Sequence, residues 1–343
     1  MMRTDDEALL AETYRILPDV DRGMKHGRSA ASFKELSAKE FPPMHWNIEK
    51  LLPAGTMLLF GKPKKGKSYL TLMISIAVAA GRPVFGRSTS DAKVYYLGLE
   101  DSERRMQQRG ISCAHALQVP LSEFDENLYI STESKTIDTG LLDELAEWMT
   151  DHPDTGLIVL DMLKKITGKA TGRDLYAEQA KVGDALTKFC HAYPRLSIVV
   201  VHHSRKAESD DPFDLVSGTT GLSGSYDSLA AIADTEGGRV LHITGRDIES
   251  VEIPLLMNEH GMYTLESANS GDIARQSMSS TRRRVFDAIN SQMPMTRKEI
   301  IAGCKLDGAS VDKQLGKLKR AGLIKHTDHG CYQKTGQKFY ESV

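Results

Sequence analysis

Cysteines are few in this chain, and they form no pattern that indicates a metal site. Only four occur among 343 residues. No two of them make a C-x-x-C motif, and none stands at zinc-finger spacing from a histidine. The sequence therefore excludes the usual zinc-finger patterns. It favours reduced, buried thiols, as in most proteins of the cytosol.

Long apolar stretches are also lacking. No run approaches the roughly 20 residues that a membrane-spanning helix needs, and the first six residues, M-M-R-T-D-D, lack the apolar core of a signal peptide. Internal repeats and low-complexity tracts are absent as well. We expect a cytoplasmic protein that does not enter a membrane.

Net charge is small, −2, and by itself indicates no partner. Its distribution along the chain is uneven. Residues 273–343 contain 14 Lys and Arg against 6 Asp and Glu, a net charge of +8, which leaves −10 for the rest. A basic C-terminal part suggests a nucleic acid or another acidic partner.

Residues 61–68 read G-K-P-K-K-G-K-S, the G-x-x-x-x-G-K-S pattern of phosphate-binding loops. The apolar run 57–60 before it predicts a buried strand, and residues 69–80 after it predict a helix. Two glycines let successive amides face a phosphate, and the helix N-terminus adds partial positive charge. Lys67 would reach the β- and γ-phosphates, and the Ser68 hydroxyl would ligate Mg²⁺. The predicted ATP-binding residues are Gly61, Lys62, Pro63, Lys64, Lys65, Gly66, Lys67, Ser68 and Tyr69.

Three more predicted strands end in polar side chains. Residues 94–99 lead into Glu100, residues 156–160 into Asp161, and residues 196–201 into His202. Ligands bind at the carboxyl ends of strands in parallel sheets, so Asp161 would face the phosphate loop on the Mg²⁺ side. The plainer alternatives are a surface acid at Glu100, a helix cap at Asp161 and a structural histidine at 202.

Strands alternate with helices from about residue 57 to 266, which predicts an α/β fold with a mostly parallel sheet flanked by helices. Two polar stretches, 162–174 and 207–225, are predicted as loops. We divide the chain into an N-terminal tail (1–44), a core (45–266), a linker (267–280) and a C-terminal domain (281–343).

The C-terminal domain is predicted to contain three helices and a terminal hairpin, the pattern of a winged helix-turn-helix. Its third helix carries Lys313, Lys317, Lys319 and Arg320, which could meet DNA phosphates, and Gln314, which could touch a base edge. Winged helices also dock proteins, and that alternative stays open.

The order of these motifs resembles the RecA-like ATPase core of ring-shaped helicases, most of all the RepA-type replicative helicases of plasmids and phages. The resemblance covers about residues 45–266 and not the C-terminal domain. Its carriers are G-K-P-K-K-G-K-S (61–68), Y-L-G-L-E-D (96–101), L-I-V-L-D (157–161), V-V-V-H-H-S-R-K (199–206), S-G-T-T-G-L-S-G-S (217–225) and T-G-R-D (244–247).

The resemblance assigns roles that the residues alone do not give. It implies that Glu100 polarises the attacking water, that Asp161 is the Walker B acid, and that His202 senses the γ-phosphate. It also implies that Arg246 is an arginine finger inserted into the neighbouring subunit of a hexameric ring. Lys67 and Arg246 would then stabilise the charge of the transferred phosphoryl group. An ordinary exposed hairpin arginine is the alternative for Arg246.

These observations favour an ATP- and Mg²⁺-dependent motor that forms a homo-oligomer. Single-stranded DNA would pass through the ring, and duplex DNA could bind the winged helix. The expected function is a replicative-type DNA helicase of a plasmid, phage or mobile element. The alternative is an ATP-dependent, DNA-binding regulatory switch without unwinding activity. A small-molecule kinase is a third option, against which the Arg246 hairpin and the basic C-terminal domain both argue.

Overall fold

The fold is taken from a computed structural model of the chain. It describes residues 31–168, 174–203, 213, 220–235, 238–258, 262–265, 280–290, 293–320, 323–327 and 330–335. The first 30 residues of the predicted tail and nearly all of the predicted linker lie outside these ranges. Two compact units are present, Met1–Ile232 with His242–Val251, and Ala233–Leu241 with Glu252–Val343. Within the described ranges, no helix has both the length and the apolar character needed to cross a membrane.

Strands and helices alternate along the first unit, as the sequence predicts. Its helices are α1 (Phe33–Ser37), α2 (Lys67–Ala79), α3 (Glu103–Leu117), α4 (Leu141–Asp151), α5 (Leu163–Ile166), α6 (Asp174–His191) and α7 (Thr220–Gly224), with 3₁₀ turns at Leu121–Glu123 and Ile137–Thr139. Its strands are β1 (Trp46–Ile48), β2 (Leu52–Pro53), β3 (Gly55–Gly61), β4 (Lys93–Gly98), β5 (Leu128–Ser131), β6 (Thr155–Asp161) and β7 (Ser197–His203). Strands β8 (Ser228–Thr235), β9 (Gly238–Gly245) and β10 (Val251–Leu255) follow, and their residues are divided between the two units.

Eight strands form one sheet in the order β10–β9–β8–β3–β7–β6–β4–β5. All neighbouring pairs from β8 to β5 in this order are parallel. Strand β3, which leads into the phosphate loop, therefore lies inside the sheet between β7 and β8. The prediction of a mostly parallel sheet is confirmed.

Helices cover both faces of the sheet, which explains the unbroken apolar runs of its inner strands. On one face, Leu58 and Ile198 belong to a buried cluster with residues of α4, α5 and α6, such as Leu186. On the other face, the Tyr96 hydroxyl lies 3.1 Å from Thr71 Oγ1 of α2. Strands buried on both sides cannot alternate polar and apolar residues, so length and flanking turns had to identify them.

Two stretches that were predicted as loops contain short helices. Helix α5 lies in the predicted loop 162–174, because Leu163 and Ile166 are three residues apart and both are fully buried in the core. Helix α7 lies in the predicted loop 207–225, where Leu222 is likewise buried. The remainder of that loop, apart from residues 213 and 225, falls outside the described residues.

The C-terminal part of the second unit has its own apolar core. It contains α8 (Ser280–Ala288), α9 (Arg297–Cys304) and α10 (Gly308–Arg320), and an antiparallel sheet of β11 (Met295–Thr296), β13 (Cys331–Lys334) and β12 (Ile324–His326) in that order. The predicted helix-turn-helix domain is confirmed. Strand β11 was not predicted, since two residues are too few to show a period. The buried core residues include Val285, Ile300, Val311, Leu315, Leu318 and Ile324.

Candidate active site

The predicted phosphate-binding loop joins β3 to α2 at the carboxyl edge of the parallel strands. Gly66, directly before α2, has φ 77° and ψ 21°, a left-handed conformation that glycine adopts without strain. A Cβ at Gly61 would lie 2.9 Å from the carbonyl oxygen of Ile232 on the adjacent strand. No side chain caps the N-terminus of α2, so its first amides can bind an anion.

Lys67 lies at the start of α2 and is only 4% exposed. Its Nζ donates hydrogen bonds to the carbonyl oxygens of Gly61 at 2.7 Å and of Lys62 at 3.1 Å. Burial lowers the pKa of Lys67 to about 8, although the charges of Asp161 and Glu100 act in the opposite direction. The ammonium is therefore held inside the loop and lies within the field of both predicted acids.

Asp161 ends β6 and is 6% exposed. Its Oδ2 accepts a hydrogen bond from the Tyr96 hydroxyl at 2.9 Å, and Ser68 also bonds to the carboxylate. Burial raises the pKa of Asp161, whereas the bonds from Ser68 and Tyr96 act to lower it.

A hydroxyl and a carboxylate are hard oxygen donors, and this donor set fits Mg²⁺, which takes few protein ligands beside phosphate and water. Among the described residues, no cluster of three or more His, Cys, Asp or Glu side chains could hold a metal.

Glu100 lies in the turn that follows β4. The Leu99 amide donates to the Asp161 carbonyl at 2.8 Å, one step beyond the last β4–β6 residue pair, so these two strand ends stay together. Glu100 itself is exposed. It lines a cleft of about 340 Å³ in which three predicted site residues converge. The cleft is lined by Ser68, Gly98, Glu100, Asp101, Arg105, Arg109 and Asp161.

His202 and His203 end β7, next to the phosphate-loop strand. In the register of β3 and β7, Phe60 pairs with His202 and Gly61 with His203. His202 is 8% exposed, and burial, followed by His203 and Lys67, lowers its pKa to about 4. The imidazole is therefore neutral at pH 7. Its Nδ1 has no hydrogen-bond partner in the part of the chain that the structure describes.

Arg246 lies at the opposite edge of the sheet, directly after β9. Its guanidinium donates to Asp227 Oδ1 at 3.2 Å and to the Gly224 carbonyl at 3.1 Å. Asp227 also accepts a 2.9 Å bond from the Thr56 amide at the beginning of β3. Since β3 spans seven residues, its two ends are about 20 Å apart. A single chain thus brings Lys67, Ser68, Glu100, Asp161 and His202 to one edge of the sheet, and Arg246 to the other.

Sequence reasoning missed Tyr96, Arg105 and Arg109 as site residues. The sequence around Tyr96 predicts only a strand, because no local pattern shows which carboxylate its hydroxyl bonds to. Asp101, Arg105 and Arg109 follow one another at intervals of four residues, and this spacing was an available signal for ion pairs along a helix.

The helix-turn-helix domain presents basic side chains on α10. Lys313, Lys319 and Arg320 are exposed, and Lys317 is partly exposed. The idea that Gln314 touches a base edge is wrong for this structure. Gln314 is 8% exposed and its Oε1 accepts a hydrogen bond from Arg282 Nε at 3.3 Å, so it packs inside the domain.

Comparison with known proteins gives two family matches. A model described as an AAA domain matches residues 26–209, and a model described as a helix-turn-helix domain matches residues 278–327. No curated protein matches the chain. A solved structure of an ATPase domain is similar at 12% sequence identity, with a TM-score of 0.48, and the match covers 77% of this chain and 99% of that one.

Proposed function

We propose that this chain, which belongs to the AAA domain family, hydrolyses ATP as a ring-forming motor that acts on DNA. The proposal rests on the convergence of Ser68, Glu100 and Asp161 on one cleft, with Lys67 beside it. In its specific form it is a replicative helicase of a plasmid, phage or mobile element, of the RepA type that the sequence resembles. The core would extend over residues 45–266, and a linker (267–280) would join it to the DNA-binding domain.

The phosphates of ATP would lie on the backbone amides of residues 61–68, with Lys67 turned from its two carbonyl partners toward the β- and γ-phosphates. Mg²⁺, when bound, neutralises phosphate charge, and Ser68 and Asp161 would hold it. Glu100 orients the attacking water and accepts its proton as the terminal phosphate–oxygen bond breaks. The products are ADP and inorganic phosphate.

His202 would report whether the γ-phosphate is present. It is neutral at pH 7, because burial and the charge of Lys67 lower its pKa to about 4. A neutral imidazole can donate one hydrogen bond to a phosphate oxygen without adding charge. Residue 203 ends β7, so His202 lies at the end of that strand beside the phosphate loop, where Phe60 pairs with it.

Hydrolysis itself is tested by comparing the wild type with two variants. Lys67→Ala should abolish turnover, since its ammonium is the one that the carbonyls of Gly61 and Lys62 hold inside the loop. Glu100→Gln should bind ATP and fail to cleave it. Normal turnover in folded Lys67→Ala would refute the assignment of the site, and normal turnover in Glu100→Gln would assign the base to another acid.

Assembly into a ring is proposed from the position of Arg246, which is exposed and lies at the far edge of the sheet. A neighbouring copy could receive this guanidinium in its own cleft, and a hexamer is the ring that the family resemblance implies. Arg246→Ala should bind ATP without hydrolysing it. Mixed with Glu100→Gln, it should regain part of the activity, because some clefts then combine two intact halves. Exchangeable mixtures that stay inactive, or a fully active monomer, would contradict the shared site.

DNA is the proposed partner because the C-terminal domain is a helix-turn-helix with basic side chains on α10. Reversing the charge of Lys313, Lys317 and Arg320 in the full chain should weaken duplex binding and its salt dependence, because fewer phosphate contacts release fewer counterions. Basal ATP hydrolysis should stay near the wild-type rate. Duplex binding that is equally strong and equally salt-dependent in the variant would favour a protein-docking role for the domain.

A regulatory switch without unwinding activity is the second candidate, and the helix-turn-helix domain is the feature that favours it. Two measurements separate the candidates, ATP turnover with and without single-stranded DNA, and displacement of a labelled strand from a forked duplex. Stimulated turnover with strand displacement supports the motor. Hydrolysis that is indifferent to single strands, together with duplex binding that depends on ATP, supports the switch.

A further inference from the structure

The turn that carries Glu100 is held in place by the next residue, Asp101. Among the described residues, the Glu100 side chain makes no hydrogen bond or ion pair, so its position depends on the backbone of residues 98–102. Asp101, by contrast, is bonded through both carboxylate oxygens. Its Oδ1 accepts a hydrogen bond from Arg105 Nη1 at 2.9 Å, and its Oδ2 accepts one from Arg109 Nη1. The Asp101 side chain is only 9% exposed, and its amide closes the turn on the Gly98 carbonyl at 3.2 Å.

Arg109 connects this turn to the phosphate loop. Its guanidinium carbon lies 5.2 Å from the centre of the Tyr69 ring, within cation–π distance. Tyr69 directly follows Ser68, the last residue of the phosphate-loop motif. Helix α3, which carries Arg109, is itself held close to β4, since a Cβ at Gly98 would lie 2.9 Å from the Met106 sulfur.

We infer that Asp101, Arg109 and Tyr69 act together as a positioning clamp, which sets the distance between the Glu100 turn and the phosphate loop. The inference rests on the proposed hydrolysis of ATP and adds positioning residues to the same site. None of the three side chains needs to touch the reacting atoms. The clamp acts because it fixes the backbone on either side of the cleft, where a small displacement of Glu100 would cost catalysis more than binding.

The test compares Arg109→Met with Arg104→Met in the full chain. Arg104 lies on the same helix, is exposed, and has no partner among the described residues. For Arg109→Met we expect kcat to fall at least tenfold, with KM and the affinity for ATP within about threefold of the wild type. Arg104→Met should match the wild type in kcat, in KM and in its affinity for ATP. A kcat of Arg109→Met within twofold of the wild type overturns the inference.

Two further variants keep the test valid if Arg109→Met folds poorly. Asp101→Asn and Tyr69→Leu, which removes the ring that Arg109 contacts, should both reproduce the loss of kcat. The double variant Asp101→Asn/Arg109→Met should be no worse than either single variant, since all three disrupt one clamp. Losses that multiply would show independent roles and refute the clamp.

Hydrogen exchange provides a readout that does not depend on turnover. The amides of residues 99–102 should exchange at least tenfold faster in Arg109→Met, whereas those in β6 should keep their wild-type rates. Unchanged exchange in the turn contradicts the clamp. If the wild type does not hydrolyse ATP, the proposed function fails, and the exchange experiment still decides whether Arg109 holds the turn.

Discussion

Removal of the Tyr96 hydroxyl, in the variant Tyr96→Phe, takes one hydrogen-bond donor away from Asp161 and leaves the surrounding packing intact. The ring is 1% exposed, and phenylalanine fills nearly the same volume. The hydroxyl donates to Asp161 Oδ2 at 2.9 Å and lies 3.1 Å from Thr71 Oγ1. Thr71 keeps two backbone acceptors, the carbonyls of Lys67 and Ser68, each at 3.2 Å. The Tyr96 hydroxyl also lies 3.4 Å from the Ser68 carbonyl, which keeps its bond from Thr71. The main perturbation is therefore at one carboxylate oxygen.

A hydrogen bond to a charged group contributes about 1.5–3 kcal/mol, and water can replace little of it at a side chain that is 6% exposed. We expect Tyr96→Phe to lower the free energy of unfolding by about that amount at pH 7. Burial raises the pKa of Asp161 and the bond from Tyr96 lowers it, so the variant raises it further. The loss of stability should be complete above that raised pKa. This loss of stability should shrink as the pH falls through the raised pKa of Asp161, because the protonated carboxyl needs the donor less.

The second expected effect concerns the metal. Partners that orient a metal ligand typically contribute 10–100-fold to metal affinity, so the Mg²⁺ concentration for half-maximal nucleotide binding should rise by about that factor. Tyr95→Phe is the matched control, because it removes the same atom from the preceding residue, whose ring stacks on Trp148 at 4.1 Å on the other face and whose hydroxyl bonds to Ser131 instead of Asp161. Urea unfolding and a Mg²⁺ titration measure the two effects. The reasoning would be refuted if Tyr96→Phe were as stable as Tyr95→Phe and needed the same Mg²⁺ concentration for half-maximal nucleotide binding.

Three further predictions concern separate parts of the molecule. Nucleotide affinity, measured by calorimetry with ADP, should be constant up to about pH 8 and then fall. The free protein loses the Lys67 proton near pH 8, whereas bound phosphates raise the pKa of Lys67. An affinity that stays constant to about pH 9.5 contradicts this. Asn47→Ala should lower the free energy of unfolding by about 2–3 kcal/mol in urea, because it leaves buried acceptors such as the Gly156 carbonyl, now bonded at 2.6 Å, without a donor. Arg284→Met should destabilise the helix-turn-helix domain by about 1 kcal/mol in thermal unfolding, because it removes a 2.7 Å bond to the Cys304 carbonyl at the end of α9; unchanged ATP binding is its control.

Much of the candidate site could be predicted, because its residues follow local patterns that a general rule then brings together. The phosphate loop has its own spacing, and its strand and helix are visible as apolar runs on either side. Glu100, Asp161 and His202 each end such a run. Parallel strands end at one edge of a sheet, so the three could be placed together before any strand order was known. The observed order shows why the rule works here: on one side of β3 the successive strands are β7, β6 and β4.

What could not be predicted depends on side chains that meet across the sheet. Nothing around Tyr96 shows that its hydroxyl reaches Asp161, 65 positions later, because this contact follows from the pairing of β4 with β6. The clamp of Arg109 on Tyr69 depends likewise on how α3 lies beside α2. In the second unit, helical periodicity alone could have assigned Gln314 to the inner face, since it lies three residues after Val311 and four before Leu318, both fully buried.

The sheet also determines which predicted residues can act in the same molecule. Strands β3 and β8 are parallel, and Met57 pairs with Ser228, so Asp227 and the Arg246 bound to it lie at the edge where β3 begins. The phosphate loop starts where β3 ends, about 20 Å away, a distance that no arginine side chain spans. Arg246 therefore cannot stabilise phosphoryl transfer in its own chain without a rearrangement of the sheet. Either it completes the cleft of a neighbouring copy, or its role is to hold Asp227. The mixing experiment with Arg246→Ala and Glu100→Gln decides between these two, because only the first allows inactive chains to restore one another.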